Sequence, residues 1–233
     1  QALSELTPSF VALPLAFPVP AGWSLLNPTL AQGPHGLSAI VRSGNYTVDA
    51  HGRYTAHEPD GVVRTTNYLA KLSPSGLLQS VDRIDDGFLR IQPPLYPVAG
   101  FEDCRLIWQD GSWWAAATRR DANAEGICQM VLLRLDGDRA VEMIPLSDGA
   151  SGHEKNWMPV VDGGPDLHFV ASIAPTVVMR LDLATREVTR AAQQRAPEAA
   201  RFLRGGGQVL PVADGWLAIG HEAVRFDDGS RVY

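Results

Sequence analysis

Lysine is almost missing from this chain: of 20 basic residues only Lys71 and Lys155 are lysines, the rest being arginine. Cysteine is as scarce, with Cys104 and Cys128 alone. Two cysteines cannot define a disulfide framework, and a zinc site needs more ligands at closer spacing. Buried thiols are therefore expected, with no metal and no cofactor. No basic tract stands out in a chain of net charge −6, which argues against nucleic acid as a partner. Long hydrophobic runs are missing too. The longest near the start, Phe10 to Pro20, is broken by Pro14, Pro18 and Pro20, so neither a membrane helix nor a cleavable signal is expected, and the setting implied is cytoplasmic. Asn45-Tyr46-Thr47 fits a glycosylation sequon, which carries no weight without a secretion signal.

What the chain does have is a repeat. Four times a polar opening runs into an apolar strand, a Gly turn and a second apolar strand. The openings are Asn27-Pro28-Thr29, Phe101 to Arg105, His153 to Trp157 and Arg204 to Gln208, and the turns carry Gly36, Gly111, Gly163 and Gly215. The turns are spaced by 75, 52 and 52 residues. A period near fifty built from short strands reads as an all-β fold of the β-propeller type, one four-stranded blade per repeat. Second strands are expected at Leu37 to Val41, Trp113 to Thr118, Leu167 to Ser172 and Trp216 to Gly220. Third strands follow at Asn67 to Leu72, Gln129 to Leu135 and Val177 to Leu183, and fourth strands at Leu77 to Ile84, Ala140 to Leu146 and Glu187 to Ala191.

The 233 residues are read as one propeller domain with blade-like units at about 27–84, 101–146, 156–191 and 205–233. The last blade reads as incomplete in this chain, and its missing strands are expected from the N-terminal segment, from a partner chain or from residues beyond Tyr233. A polar insertion, Ser43 to Val63, contains Tyr46, His51, Tyr54 and His57. Loops of that length are lids or binding loops, or else disordered.

Innermost strands of a propeller run beside its axis, so the polar openings would meet there. Glu102 and Asp103 are neighbours on a strand, and alternation predicts that their side chains face opposite ways, with one acid toward the axis. The structural alternative is that both pair with arginines such as Arg105. His153, Glu154, Lys155 and Asn156 give adjacent donors and acceptors ahead of Trp157, or else a solvated turn. Arg204 precedes three glycines and Gln208, where backbone can approach a ligand closely. The mouth would gather Arg42, Arg105, Arg119 or Arg120, Lys155, Arg204 and His221, and cations concentrated in an acidic chain suggest an anionic ligand such as phosphate or a sugar phosphate. Trp113, Trp114, Trp157 and Trp216 offer faces for a sugar ring or for packing between blades.

Gly100-Phe101-Glu102-Asp103-Cys104-Arg105, the Asn27-Pro28 opening, Arg42 at its strand end and Gly215-Trp216-Leu217-Ala218-Ile219-Gly220-His221 together resemble glycoside hydrolase family 130, over most of the chain and in the same order. That family contains β-mannoside phosphorylases and mannosidases. The resemblance implies a five-bladed propeller with an axial site, and it marks Asp103 as the catalytic acid within a motif that usually reads Glu-Asp-Pro-Arg. Cys104 stands where the family has proline. The expected substrate-binding residues are Asn27, Arg42, Asn45, Glu102, Asn156, Trp157 and Gln208. The expected phosphate-binding residues are Arg105, Arg119, Lys155, Arg204 and His221.

A phosphorylase needs only the acid, because phosphate is already an anionic nucleophile, whereas an inverting hydrolase needs a second carboxyl to activate water. One axial acid among many cations fits phosphorolysis of a β-mannoside-like substrate, with a small carbohydrate and inorganic phosphate or a sugar phosphate as partners. Hydrolysis with Glu102, Glu154 or Glu222 as base, glycosyl transfer from a phosphorylated donor, and a non-catalytic carbohydrate-binding propeller are the alternatives.

Overall fold

The short apolar runs between Gly turns all become strands. Among the described residues there is no α-helix, only 3-10 turns at Gly87–Leu89 and Glu198–Ala200, and no helix is long and apolar enough to cross a membrane. The computed structural model describes residue 12 and residues 14–49, 53–147, 152–222, 224–225 and 231–232. Phe10, Val11 and Leu13 of the proline-broken run, His51 of the insertion and Tyr233 lie outside the described residues.

Three antiparallel four-stranded meanders follow one another. The first is β1 (Ser24–Gly33), β2 (Gly36–Gly44), β5 (Val63–Leu72) and β6 (Leu78–Arg83), in that spatial order. Within the insertion a small hairpin forms from β3 (Tyr46–Val48) and β4 (Tyr54–Ala56), and β7 (Val98–Ala99) pairs with β5 in parallel. The second meander is β8 (Phe101–Gln109), β9 (Ser112–Arg119), β10 (Gln129–Asp136) and β11 (Arg139–Leu146). The third is β12 (Met158–Val160), β13 (Leu167–Ser172), β14 (Thr176–Leu181) and β15 (Val188–Gln194). A fourth unit contributes β16 (Leu203–Val212) and β17 (Gly215–Glu222), and a short hairpin, β18 (Val224–Arg225) with β19 (Arg231–Val232), comes after them. β16 joins the third sheet through β12 at a single parallel pairing, Val160 with Val209, so six strands form one sheet. Among the described residues no sheet closes on itself.

The second sheet explains why its strands read as unbroken apolar runs. Successive side chains of a strand face opposite ways, and here both faces are buried. Leu106, Ala115, Ala117, Val131, Leu133 and Leu135 pack toward the first sheet with Ile40, Leu69 and Ile84. Their neighbours Ile107, Trp114, Ala116, Met130 and Leu132 pack the other way, against Trp157, Leu167, Phe169, Met179 and Leu181 of the third. The fourth unit is different. Trp216, Leu217 and Ile219 of β17 are exposed, and a cavity of about 530 Å³ lies in the trough formed with β12, β13 and β14, lined by Met158, Val170, Val178, Val209 and Trp216.

Phe169 is fully buried at the centre of the second cluster. Phe169→Ala is expected to cost about 3–5 kcal/mol, the range for emptying a well-packed aromatic site. Denaturant unfolding checks this: the midpoint falls while the slope is kept.

Candidate functional site

The opening strands of the first, second and fourth units break their pairing at corresponding places. The β1–β2 register shifts between Leu26 and Thr29, β8–β9 between Glu102 and Arg105, and β16–β17 between Gly205 and Val209. At the first two of these, and just ahead of β12, the backbone turns left-handed on residues other than glycine. Asn27 has φ +43°, Asp103 +52° and Asn156, just ahead of β12, +63°. Asn and Asp tolerate this region better than other L residues, yet it still costs on the order of 1–2 kcal/mol at each position. Such outliers collect at functional sites when their surroundings over-determine them.

Those surroundings are side chains that bridge strands no ladder joins. Asn27 Nδ2 donates to Asp103 Oδ1 at 2.6 Å. Arg42 Nη1 lies 3.2 Å from the same oxygen and 3.6 Å from Glu102 Oε2, and its Nη2 donates to Tyr46 Oη at 2.7 Å. Arg105 donates from Nε to the Gly206 carbonyl at 3.0 Å, from Nη2 to the Gly205 carbonyl at 3.1 Å and to Asn156 Oδ1 at 3.5 Å, and from Nη1 to the Asp103 carbonyl at 3.3 Å. One layer deeper, Thr29 Oγ1 accepts from the Leu106 N–H at 3.3 Å and the Gln208 amide donates to the Leu106 carbonyl. Glycine at 205 is required by this closeness, because a Cβ there would collide with the Asn156 carbonyl.

Burial raises the Glu102 carboxyl above its ordinary range, and Asp103 adds to the rise while Arg42, Arg120 and Lys155 oppose it. The Arg42 guanidinium is held above its usual value: burial works against its charge, but Asp103, Tyr46 and Glu102 together outweigh it. His221 is lowered by burial and then by Arg105, Arg204 and Lys155, with Asp103 opposing. Those influences link Asp103, Arg105, Lys155, Arg204 and His221 electrostatically, and Arg204 and His221 face each other across β16 and β17. Among the described residues no cluster of His, Cys, Asp and Glu is arranged to hold a metal ion.

Several expectations need correction. Glu102 and Asp103 do not face opposite ways. The bulge at Asp103 cancels strict alternation and brings both carboxylates to one guanidinium nitrogen. Arg119 is not the counterpart of Arg42. Glu102 pairs with Thr118 as Leu26 pairs with Arg42, so Arg119 stands one residue further along, on the other face. Its guanidinium is buried against Asp121, at 2.9 Å, and lies over the Phe101 ring. Arg120, whose charge acts on Glu102, donates to the Gly126 carbonyl and lies over the Tyr96 ring. Trp157 is 3% exposed and packs 6.1 Å from Phe169, so it is core and offers no face to a sugar. Asn45 is fully buried, its side chain donating to Val62 and accepting from the Arg64 N–H, and it pins the insertion to β5 rather than facing a ligand. Arg105 commits most of its five donors to protein oxygens and brings the site charge rather than a fork for phosphate. Gln208 is likewise engaged with Leu106.

Tyr46 was passed over as a site residue, although it lies only four positions from Arg42. The signal that could have found it is Gly44, whose missing Cβ leaves space for the Tyr46 ring. The insertion is thus anchored at the site by Asn45 and Tyr46, and Tyr46 packs on Tyr54 at 5.3 Å. A scan against protein-family models gives no match, and no curated protein matches the sequence.

His221 is expected to titrate below 6.5, its ordinary value, and Arg204→Gln is expected to move it back upward. Proton NMR of the imidazole checks both. Because the native state then binds fewer protons than the unfolded chain between the two values, this group's contribution to stability falls as pH drops through that window.

Proposed function

We propose that this protein is a carbohydrate-active enzyme of the propeller type that cleaves a β-mannoside-like glycosidic bond by inverting phosphorolysis, with Asp103 as general acid. The observation that carries the reading is Asp103 itself, lifted out of strand alternation by a left-handed bulge, held by Asn27 and Arg42, and within electrostatic reach of Arg105 and of His221, on which Arg204 and Lys155 also act. The sequence resemblance supports the same residue in the same role.

In this reading the Asp103 proton goes to the glycosidic oxygen as its bond to the anomeric carbon breaks. A phosphate oxygen forms the new bond from the opposite face, and the products are the sugar 1-phosphate and the freed alcohol. Lys155, Arg204 and His221 hold the phosphate, Arg105 adds positive charge behind them, and Asn27 and Asn156 face the sugar. Preorganised cations in a partly desolvated site favour an anionic nucleophile at no reorganisation cost.

The spacing of the carboxyls favours phosphorolysis over inverting hydrolysis. Contact with one guanidinium nitrogen keeps the nearer oxygens of Glu102 and Asp103 within about 7 Å of each other. Inverting hydrolases hold acid and base roughly 6.5–9.5 Å apart on opposite faces of the sugar, with a water between. A pair that shares one guanidinium nitrogen lies at or below the short end of that range.

Asp103→Asn is expected to keep the fold and lose at least about a hundredfold in turnover, the scale of general-acid catalysis. Product analysis with a labelled disaccharide is expected to give sugar 1-phosphate in amounts that follow phosphate concentration. Free sugar released at a rate indifferent to phosphate would identify a hydrolase, and sugar binding without any product a carbohydrate-binding module.

A further inference from the structure

The Arg42 guanidinium divides its attention unequally. Its short, well-formed hydrogen bond runs from Nη2 to the Tyr46 phenol at 2.7 Å, whereas the carboxylates meet only Nη1, at 3.2 and 3.6 Å. Its Nε is buried with no hydrogen-bond partner. An arginine left to itself beside two carboxylates takes them with two parallel N–H groups, the geometry its fork favours. Tyr46 is built to prevent that. Its ring is 5% exposed, packs on Tyr54, and lies so close to Gly44 that a Cβ there would approach Tyr46 Cε1 to 2.6 Å. The phenol oxygen is therefore fixed by packing within the insertion, and it competes with the carboxylates for the guanidinium.

We propose that Tyr46 is a positioning residue that turns Arg42 so that a single nitrogen, and not the fork, meets Glu102 and Asp103, and that the insertion hairpin thereby loosens the hold of the guanidinium on the carboxylate pair. The groups facing Glu102 are Arg42 on β2, Asp103 on its own strand, Arg120 after β9 and Lys155 ahead of β12, with Tyr46 on β3 acting through Arg42. The phenol's hydrogen bond is to Arg42, and being uncharged the phenol acts on the carboxylates through that guanidinium. The functional consequence rests on the reading of Asp103 as an acid; the geometric one does not.

The test reads Glu102 directly, by carboxyl carbon NMR titration of the full chain without substrate, in the natural protein, Tyr46→Phe and Arg42→Gln. Tyr46→Phe removes one oxygen and keeps the ring against Gly44. Glu102 is expected to titrate lower in that variant, its proton affinity falling at least about threefold, because the released Nη2 closes onto the carboxylates. Arg42→Gln is expected to shift Glu102 the other way. An unmoved or raised Glu102 titration in folded Tyr46→Phe overturns the proposal, as does an Arg42→Gln protein in which Glu102 does not rise. Where the phosphorolytic activity is also measured, the alkaline limb of the pH profile is expected at lower pH in Tyr46→Phe. Absence of that activity would count against the proposed reaction and leave the titration result standing.

Discussion

One buried guanidinium joins backbone that hydrogen-bonded ladders leave apart. β8 and β16 belong to different sheets and no ladder runs between them, and carbonyls left unpaired at their kinks would be costly away from water. Arg105 reaches from β8 to two carbonyls of β16, to the carbonyl of its own bulge and to Asn156. Thr29 and Gln208 complete the arrangement a layer below. Remove the guanidinium and two loop-like kinks, at Asp103 and Asn156, lose the partner around which they are arranged. The positive charge at this seam also helps to lower His221, after burial and together with Arg204 and Lys155. The joining of β8 to β16 and part of the site's electrostatics thus rest on one side chain.

The strands were legible in the sequence because they are buried on both sides. Val131, Leu132 and Leu133 serve two different cores in alternation, so the run stays apolar throughout and its ends are marked by polar turns. The polar openings were legible for the converse reason, since Asn27, Asp103 and Asn156 interrupt that pattern where packing needs no polarity. What could not be read was geometry that depends on a single residue of register. Arg42 and Arg119 look equivalent at strand ends, yet the pairing aligns Arg42 with Thr118 and sends Arg119 to Asp121. The bulge at Asp103 is equally silent, because aspartate occupies ordinary strands as well as left-handed kinks. Asn45 and Trp157 misled in another way. Both sit beside chemistry-bearing residues, but one satisfies backbone in the insertion and the other fills the core.

The strain and charge gathered at the site are tolerable only because the scaffold around it is strongly packed. Three left-handed non-glycine residues cost on the order of 1–2 kcal/mol each, and the buried Arg42 sits there with a donor unsatisfied. Against this stand large side chains with essentially no exposure, Phe101, Leu106, Leu132, Phe169 and Met179 among them, each contributing roughly 1.5–3 kcal/mol by burial. The second sheet, gripped on both faces, carries Glu102, Asp103 and Arg105, so the residues that must hold their places come from the best-supported strand.

Cys104 lies inside the bulge, between the acid and the guanidinium that closes the seam. Its thiol is 3% exposed and burial pushes it up to about 12, so it is neither accessible nor nucleophilic while the strand is in place. The rate at which a small alkylating reagent modifies it therefore measures how often the kink of β8 opens. That gives the innermost part of the molecule a built-in clock for local unfolding, readable one residue away from the carboxylate pair.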